Sequence, residues 1–373
     1  MKRKSILWVL FLGIAALAVI AIACGDDDDE ASPTAPADET PAATEEPTAG
    51  SHSQILADVQ AADELVCGVN DAVPGFGFVE ADGTNSGFDT DFCRAIAAAV
   101  LGDATKVRYV PLTAEARLTA LQTGEIDVLI RNTTWTITRD AATGLSYAVT
   151  TFYDGQGMMV RAADGFADVD ALATARICVL AGTTTELNLA DRLPDSDVQP
   201  FEDNETLQAA FIADACDGWT SDKSQLASRR AVFPEDAGGP ESLVILDETF
   251  SKEPLGPLTI DNDSQWFDIV NWVTIGIILA EEEGITSANV DDFIADPTTL
   301  NKARLLGVPF EGGEIFDPGL GIDPDFMQDV ISAVGNYGEI YENNIVPIGI
   351  APRAGTLNDL WTDGGLIYAP PWR

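Results

Sequence analysis

The sequence predicts an α/β protein of two lobes, and two observations support this prediction. Short apolar runs alternate with amphipathic stretches from Leu65 onward, and the same alternation begins again at Ala175. The chain has 373 residues, of which 46% are hydrophobic. It is therefore long enough to fill two sizeable cores after its polar N-terminal part is set aside.

The first set of elements has the order strand, helix, strand, helix, strand. Its segments read LVCGVN, FCRAIAAAVLG, KVRYVPL, AEARLTALQTG and EIDVLI. Such alternation predicts a parallel sheet with helices on its faces and a ligand at the carboxyl ends of the strands.

The second set repeats this rhythm through ARICVLAG, TELNLADRL, ETLQAAFIADA and CDGWTSD. Both sets place an acidic turn before a short apolar strand, at Gly124–Asp127 and at Ala215–Asp217. This similarity is a weak indication that the two halves are related.

The C-terminal part, from Asn301, contains the helical pattern FMQDVISAVGNYGEIYENN and the aromatic residues Trp361, Tyr368 and Trp372. We expect it to pack across the first lobe as part of the structure. The alternative is a surface that binds a partner.

The first segment predicts the compartment. Basic residues Lys2–Lys4 precede the apolar run Ile6–Ala23, and Cys24 follows at once. This order resembles a bacterial lipoprotein signal, which implies a signal peptide over residues 1–23, cleavage before Cys24 and acylation of its sulfur. An uncleaved membrane anchor is the alternative. Both interpretations place the rest of the chain outside the cytoplasm.

Residues 24–52 are rich in Pro, Ala, Thr and acidic residues, and predict a disordered tether. The formal net charge of -41 repels polyanions, so we expect no nucleic acid as a partner. The acidic composition extends beyond the tether, and either a saline habitat or a need for solubility explains it equally well.

The only histidine of the sequence, His52, ends the tether, and the sequence has no CxxC spacing. We therefore expect neither a metal nor a cofactor.

Four further cysteines fall two to a lobe: Cys67 and Cys93, then Cys178 and Cys216. Pairing within each lobe is the simplest of the possible connectivities, and an exported chain permits disulfides. Free buried thiols are the alternative.

The segment DVLIRNTTWTITR carries the first candidate site. A buried strand ends in polar Asn132 and Thr134, and Arg139 follows in a turn. A planar guanidinium can bind a carboxylate through two hydrogen bonds, so this arrangement predicts an anion clamp. Taken alone, an arginine after a strand is more often a surface ion-pair partner.

The second lobe offers Thr183–Glu186 between a strand and a helix, and Asp222 just after another strand. The threonine hydroxyls and helix amides could bind a ligand anion, although they also fit an ordinary helix cap. The Asp222 carboxylate could neutralise an ammonium group.

Together, the segments GFDTDFCRAIAAAV, LQTGEIDVLIRNTTWTITRD, AGTTTELNLAD, WTSDKSQLA and SKEPLGP closely resemble the polar-amino-acid solute-binding proteins of ABC importers. The resemblance is to their general L-amino-acid-binding subgroup. It spans residues 63–373 and includes the tail motifs GNYGEIYENN and LNDLWTDGGLIYAPPWR.

The resemblance implies that Arg139 binds the α-carboxylate and that Asp222 binds the α-ammonium. Asn132 and Thr134 stand where the family has serines, so the details of the carboxylate site can differ. The implied ligand-binding set is Asn70, Phe76, Asn132, Thr134, Arg139, Leu180, Thr184, Thr185 and Asp222. Phe76 is the expected wall for the ligand side chain, and no fixed charge for that side chain is evident, which favours broad specificity.

The resemblance also implies a type II clamshell with two hinge crossovers, near residues 157–161 and 251–258. We expect residues 53–160 and 255–373 to form lobe 1 and residues 161–254 to form lobe 2. The implied partners are a free L-amino acid and ABC permease subunits, with a monomeric, lipid-anchored protein as the carrier.

Two other classes of function are weaker predictions. An enzyme on the same scaffold, such as a dehydratase relative, would need a titrating acid or base in the cleft. A sensory amino-acid receptor would need a signalling segment after the clamshell, and none follows it.

Overall fold

The computed structural model describes residues 53–350 and 352–373. The predicted signal peptide and tether, with Cys24 and His52, lie outside these residues. In the described part of the chain, no helix has both the length and the apolar character needed to cross a bilayer.

The strands, in chain order, are β1 (Leu65–Val69), β2 (Ala72–Val73), β3 (Gly77–Val79), β4 (Asn85–Ser86), β5 (Val107–Pro111), β6 (Val128–Leu129), β7 (Leu145–Tyr147), β8 (Phe152–Asp154), β9 (Gln156–Arg161), β10 (Arg176–Leu180), β11 (Asp197–Phe201), β12 (Gly218–Asp222), β13 (Leu243–Ile245), β14 (Glu253–Leu255) and β15 (Leu258–Ile260).

The helices are α1 (Gln54–Ala62), α2 (Phe88–Leu101), α3 (Arg117–Gln122), α4 (Ile137–Ala141), α5 (Thr184–Arg192), α6 (Asn204–Ile212), α7 (Lys223–Ala231), α8 (Ser264–Glu282), α9 (Val290–Ala295), α10 (Leu300–Leu305), α11 (Phe326–Val334) and α12 (Tyr337–Asn344).

Two five-stranded sheets form the two lobes. The first has the order β5-β1-β6-β15-β7 and the second the order β11-β10-β12-β9-β13. In each sheet the first three strands in this order are parallel to one another. The fourth strand, β15 or β9, is antiparallel to both of its neighbours. The predicted two-lobe α/β architecture is confirmed, and the matching strand orders agree with the indication that the halves are related.

The chain crosses between the lobes twice, and the crossings lie side by side because β8 pairs with β14 in an antiparallel ribbon. The strand β9 pairs with β12, so it belongs to the second sheet. We therefore place the first lobe boundary at Gly155, five residues before the expected end at residue 160, because the backbone hydrogen bonds of β9 are made in lobe 2.

Both faces of each sheet are covered by apolar side chains. In the first lobe, Phe92 lies in the core on one face and Leu121 in the core on the other. In the second, Phe211 and Leu189 occupy the two faces in the same way. Burial of each such side chain stabilises the fold by about 1.5–3 kcal/mol.

One disulfide joins a sheet to its surroundings in each lobe. Cys67 on β1 is bonded to Cys93 on α2, and Cys178 on β10 is bonded to Cys216, just before β12. The structure thus has the pairing within lobes, and the alternative of free thiols is wrong.

The C-terminal part packs on the first lobe. Phe326 and Tyr337 lie in its core, and Trp372 contacts Trp272 with ring centroids 5.5 Å apart. This confirms the expectation that the extension is structural.

Candidate functional site

The carboxyl ends of the strands meet between the two lobes, where they enclose a small space that we call the inner cavity, of about 20 Å³. Lobe 1 lines it with side chains from α3 and from the segment after β6, which are Arg117, Arg131, Asn132 and Thr134. Lobe 2 lines it with side chains from β10, α5, β12 and α7, which are Leu180, Thr183, Thr184, Thr185, Ser221, Asp222 and Gln225.

A second space, the outer cavity, has a volume of about 140 Å³. Its lining includes Asn70 from the end of β1, Thr113 from the end of β5 and Asn204 from the start of α6. Arg131 and Leu180 line both cavities, so these two side chains form the partition between them.

Three buried arginines lie at the lobe 1 wall. Arg117 donates to the carbonyl oxygens of Arg131 (3.3 Å) and Asn132 (3.5 Å), and its Nε is buried without a hydrogen-bond partner. None of Arg117, Arg131 and Arg139 forms an ion pair with a carboxylate of the described residues. Buried charged groups ordinarily pair with an opposite charge. These guanidinium groups have no such partner in the protein, so they could bind an anionic ligand.

Burial also affects the protonation of these arginines. It lowers the pKa of Arg131 to about 10. It also lowers the pKa of Arg117 well below its usual range, with the positive charges of Arg131 and Arg139 as additional causes. A carboxylate placed against this wall would relieve both the desolvation and the mutual repulsion.

Arg139 is held behind the inner cavity rather than in its lining. Its Nη1 donates to the Thr134 carbonyl oxygen (3.1 Å), and its Nη2 reaches across to the Gly182 carbonyl oxygen in lobe 2 (3.4 Å). The side chain is buried and crosses between the lobes, so it is not a surface ion-pair residue. Its contact with a ligand carboxylate stays a prediction.

The backbone conformation at Asn132 directs the carbonyl oxygens of Arg131 and Asn132 toward Arg117. Asn132 has a φ of 29°, a left-handed conformation that asparagine tolerates better than most residues. Its N–H donates to the Oδ2 of Asp89 (2.8 Å), which anchors the turn to α2. Burial raises the pKa of Asp89 to about 7, against the opposing effects of that hydrogen bond and of Arg131.

A chain of amide side chains joins the lobes along the partition. Asn70 donates to Asn132 (3.1 Å), Asn132 donates to Gln225 (3.1 Å), and Gln225 donates to Asn204 (2.9 Å). The two central amides, of Asn132 and Gln225, each accept through the oxygen and donate through the nitrogen, so the chain sets the orientation of both.

Glu253 on β14 links the hinge to both walls. Its buried carboxylate accepts hydrogen bonds from Thr134 (2.7 Å), Thr184 (2.7 Å) and Asn188 (2.9 Å), and also from Ser251. The hydroxyls of Thr134 and Thr184, which we expected to bind a ligand carboxylate, thus donate to this residue of the protein. The sequence analysis did not single out Glu253, although it lies in the SKEPLGP segment.

Asp222 supplies the acidic group at the lobe 2 wall. Burial raises the pKa of its carboxyl well above the ordinary range, and the negative charges of Asp154 and Glu253 raise it further. Arg117 and Asn132 oppose this shift. A cation such as an ammonium group would favour the ionised form, so Asp222 is suited to bind one.

The threonines at residues 183–185 have different contacts. Thr183 caps α5, since its hydroxyl accepts from the N–H of Glu186 (3.1 Å), and the Glu186 carboxylate accepts from the N–H of Gly182 (2.9 Å). The expected helix cap is therefore present, while Thr184 and Thr185 still line the inner cavity.

Phe76 does not form the wall of the ligand pocket that the sequence led us to expect. It lies in the lobe 1 core against Phe88 and Phe152, with ring centroids 6.0 and 5.2 Å away, and it lines neither cavity. The correction has a simple cause: the hairpin that carries Phe76 turns the ring inward, where aromatic packing buries it fully.

Arg117 and Arg131 are the residues that the sequence analysis missed. Arg131 could have been found from its position directly after the apolar strand VLI, where ligand groups are expected. Arg117 is harder to find, because an arginine in an amphipathic helix is usually exposed.

Residues 65–302 match the model of the bacterial extracellular solute-binding proteins, family 3. The chain belongs to this family. Its membership agrees with the two-lobe fold and the pair of crossings described above, and it confirms the resemblance found in the sequence.

Two curated relatives are similar over most of their length. The chain is 48% identical over 322 residues to the general L-amino acid-binding periplasmic protein AapJ of Rhizobium johnstonii, covering 85% of this chain and 92% of that protein. It is 45% identical over 325 residues to the glutamate/glutamine/aspartate/asparagine-binding protein BztA of Rhodobacter capsulatus, covering 86% and 94%.

A solved structure is similar as well. The ABC transporter periplasmic binding protein from Brucella ovis with glutathione bound has a TM-score of 0.80 and 44% identity, and the match covers 86% of this chain and all of that one.

Proposed function

We propose that this protein is the extracytoplasmic substrate-binding component of an ABC amino-acid importer and that it binds a free L-amino acid between its lobes. The observation that carries the proposal is the charge of the two walls. Arginines without carboxylate partners lie on one side of the inner cavity, and the carboxyl of Asp222 lies on the other. A free amino acid has both complementary groups, an α-carboxylate for the arginines and an α-ammonium group for Asp222.

In this proposal Arg117 and Arg139 bind the α-carboxylate and Asp222 binds the α-ammonium. Asn132 assists the arginines, and Thr134 and Thr184 assist by turning their hydroxyls from Glu253 to the ligand. A carboxylate is a stronger partner for a guanidinium than a carbonyl oxygen is, because both groups are charged. It would therefore displace the long contact between Arg139 and Gly182. Asn70, Leu180 and Thr185 complete the site.

The family and the relatives support this function. AapJ and BztA are named as amino-acid-binding proteins, and the Brucella ovis structure holds glutathione, a peptide with an amino-acid end. A ligand that contacts both lobes favours the closed arrangement, and closure is the signal that the permease subunits would detect.

The experiment is a thermal-shift panel on the full-length chain with the twenty amino acids, each accompanied where possible by deaminated and decarboxylated analogues. Ligands that bind only the native state raise Tm. We expect L-amino acids to raise it and both kinds of analogue to fail. A panel without any shift, or equal shifts from an amino acid and its deaminated analogue, would contradict the proposal.

We also propose that the protein is monomeric and anchored through acylated Cys24, since the signal pattern supports cleavage at that residue. A Cys24→Ser variant should then remain unprocessed and lose its lipid label in cells fed a radioactive fatty acid. Equal labelling of the variant and the wild type would contradict the anchor.

We further propose a binding role rather than an enzymatic one. The relatives above are named as binding proteins, and both charged walls of the inner cavity are used by ligand charges in this assignment. Recovery of the unchanged amino acid after prolonged incubation with the protein is the expected result, and a new product would contradict it.

A further inference from the structure

Arg131 is a buried arginine to which the proposed function assigns no contact with the ligand α-carboxylate or α-ammonium group. Its side chain is 5% exposed and lies between the inner and outer cavities. Its Nε donates to the Leu112 carbonyl oxygen (2.6 Å), which fixes the plane of the guanidinium. Within residues 53–350 and 352–373, the bond from Nε is the only hydrogen bond of this side chain, so its two terminal nitrogens are available to a ligand.

This guanidinium remains charged at neutral pH. Burial lowers its pKa, but only to about 10. Three acids act on it: Asp89 is committed to the N–H of Asn132, Asp71 is exposed to solvent, and Asp222 is taken by the ligand ammonium group in the proposed function. Its charge is therefore available to a group that enters the outer cavity.

A second donor faces the same space. Asn204 is buried beside the outer cavity, and its Oδ1 accepts from Gln225 (2.9 Å). This hydrogen bond leaves the Nδ2 of Asn204 as a donor. Arg131 and Asn204 thus both line a space of about 140 Å³, and a guanidinium together with an amide donor suits an oxygen-rich anionic group.

We propose that the outer cavity receives the ligand side chain and that Arg131 makes the protein selective for amino acids whose side chain ends in a carboxylate, with carboxamides second. The inference rests on the proposed function. It replaces the expectation of broad specificity, which assumed that no fixed charge served the side chain.

Acidic residues at the mouth of the outer cavity would favour a cationic side chain instead. Asp71 and Glu202 are exposed there, where solvent and salt screen their charge. Asp203 is committed to capping α6, since its Oδ1 accepts from the N–H of Thr206 (2.7 Å). The buried and less screened charge of Arg131 therefore dominates at the inner end.

The test is calorimetric binding of glutamate, glutamine, norvaline and lysine to the full-length wild type and to Arg131→Gln. Hydrogen bonds to a charged group contribute about 1.5–3 kcal/mol, so wild type should bind glutamate about 10- to 100-fold more tightly than norvaline. In Arg131→Gln this ratio should fall close to one. Arg131→Lys, which keeps the charge without the planar fork, should retain part of it.

Arg94→Gln is the matched control, because Arg94 is a partly exposed lobe 1 arginine paired with Asp91 away from both cavities. Its glutamate-to-norvaline ratio should equal that of wild type. Three results would overturn the inference: lysine as the tightest ligand, a wild-type ratio near one, or an unchanged ratio in Arg131→Gln. A wild type that binds none of the four, glutamate included, would also overturn the inference, whereas the proposed function would fall only if the panel of twenty amino acids gave no shift in Tm.

Discussion

The two walls of the cleft are built from opposite kinds of ionisable group, arginines in lobe 1 and a carboxyl in lobe 2. The lobe 1 wall has Arg117, Arg131 and Arg139, whose guanidinium groups donate to backbone carbonyl oxygens. The lobe 2 wall has hydroxyl groups and Asp222, whose carboxyl is crowded by the negative charges of Asp154 and Glu253. The contrast indicates that carboxylates bind to lobe 1 and an ammonium group to lobe 2.

This division explains why capture would require both lobes. An amino acid on lobe 1 alone would leave its ammonium group unpaired, and on lobe 2 alone its carboxylate would be unpaired. Both ligand charges find partners only when the walls meet, so the binding free energy would be coupled to closure.

The largest effect should come from the lobe 1 wall. Replacing Arg117 or Arg139 by Met keeps much of the apolar volume but removes the partner of a desolvated carboxylate. We expect affinity for the best amino acid to fall by about 3–5 kcal/mol, which calorimetry would register as loss of measurable binding.

The control is Arg108→Met, which removes an exposed lobe 1 arginine paired with Glu64. Its affinity should match wild type. If Arg139→Met also matched wild type, then Arg139 would hold only the backbone of its own segment, and Arg117 alone would remain as the carboxylate residue.

A smaller effect should come from pH, through the lobe 2 wall. Burial raises the pKa of Asp222, and the ligand ammonium favours its ionised form, so binding should release a proton. Affinity should then weaken as pH falls through the raised pKa of the free protein and level off above it. Titrations in buffers of different ionisation enthalpy would measure the released proton.

Asp222→Asn supplies the comparison, because it cannot titrate. We expect no proton release in that variant and a flatter pH profile, with weaker binding overall. Identical proton release in the wild type and the variant would assign the effect to another buried acid, such as Asp154, whose pKa burial raises to about 6.

Much of the site could be predicted because strand periodicity is visible in the sequence. Asn132 and Asp222 each follow a predicted strand, and parallel strands bring their carboxyl ends to one edge, while Asn70 and Leu180 were implied by the family resemblance. These residues do line the cavities. The disulfides followed equally well from the two-lobe division.

The remainder depends on geometry that periodicity does not encode. Arg117 is buried because the left-handed turn at Asn132 presents carbonyl oxygens to it, and a propensity pattern does not show that contact. The burial of Glu253 depends on hydroxyls from both lobes, more than a hundred residues away in one case. Phe76 was misplaced because an aromatic residue after a strand fits a core as well as a pocket.

The most direct test of the opposed-charge account is a cycle of glutamate and glutarate binding to wild type and Asp222→Asn, measured by calorimetry. Glutarate is glutamate without the ammonium group. If Asp222 pairs with that group, its removal should weaken wild-type binding by about 2–4 kcal/mol but should cost the variant under about 1 kcal/mol. Equal losses in the two proteins would show that the ammonium group binds elsewhere, and the division of charge between the lobes would be wrong.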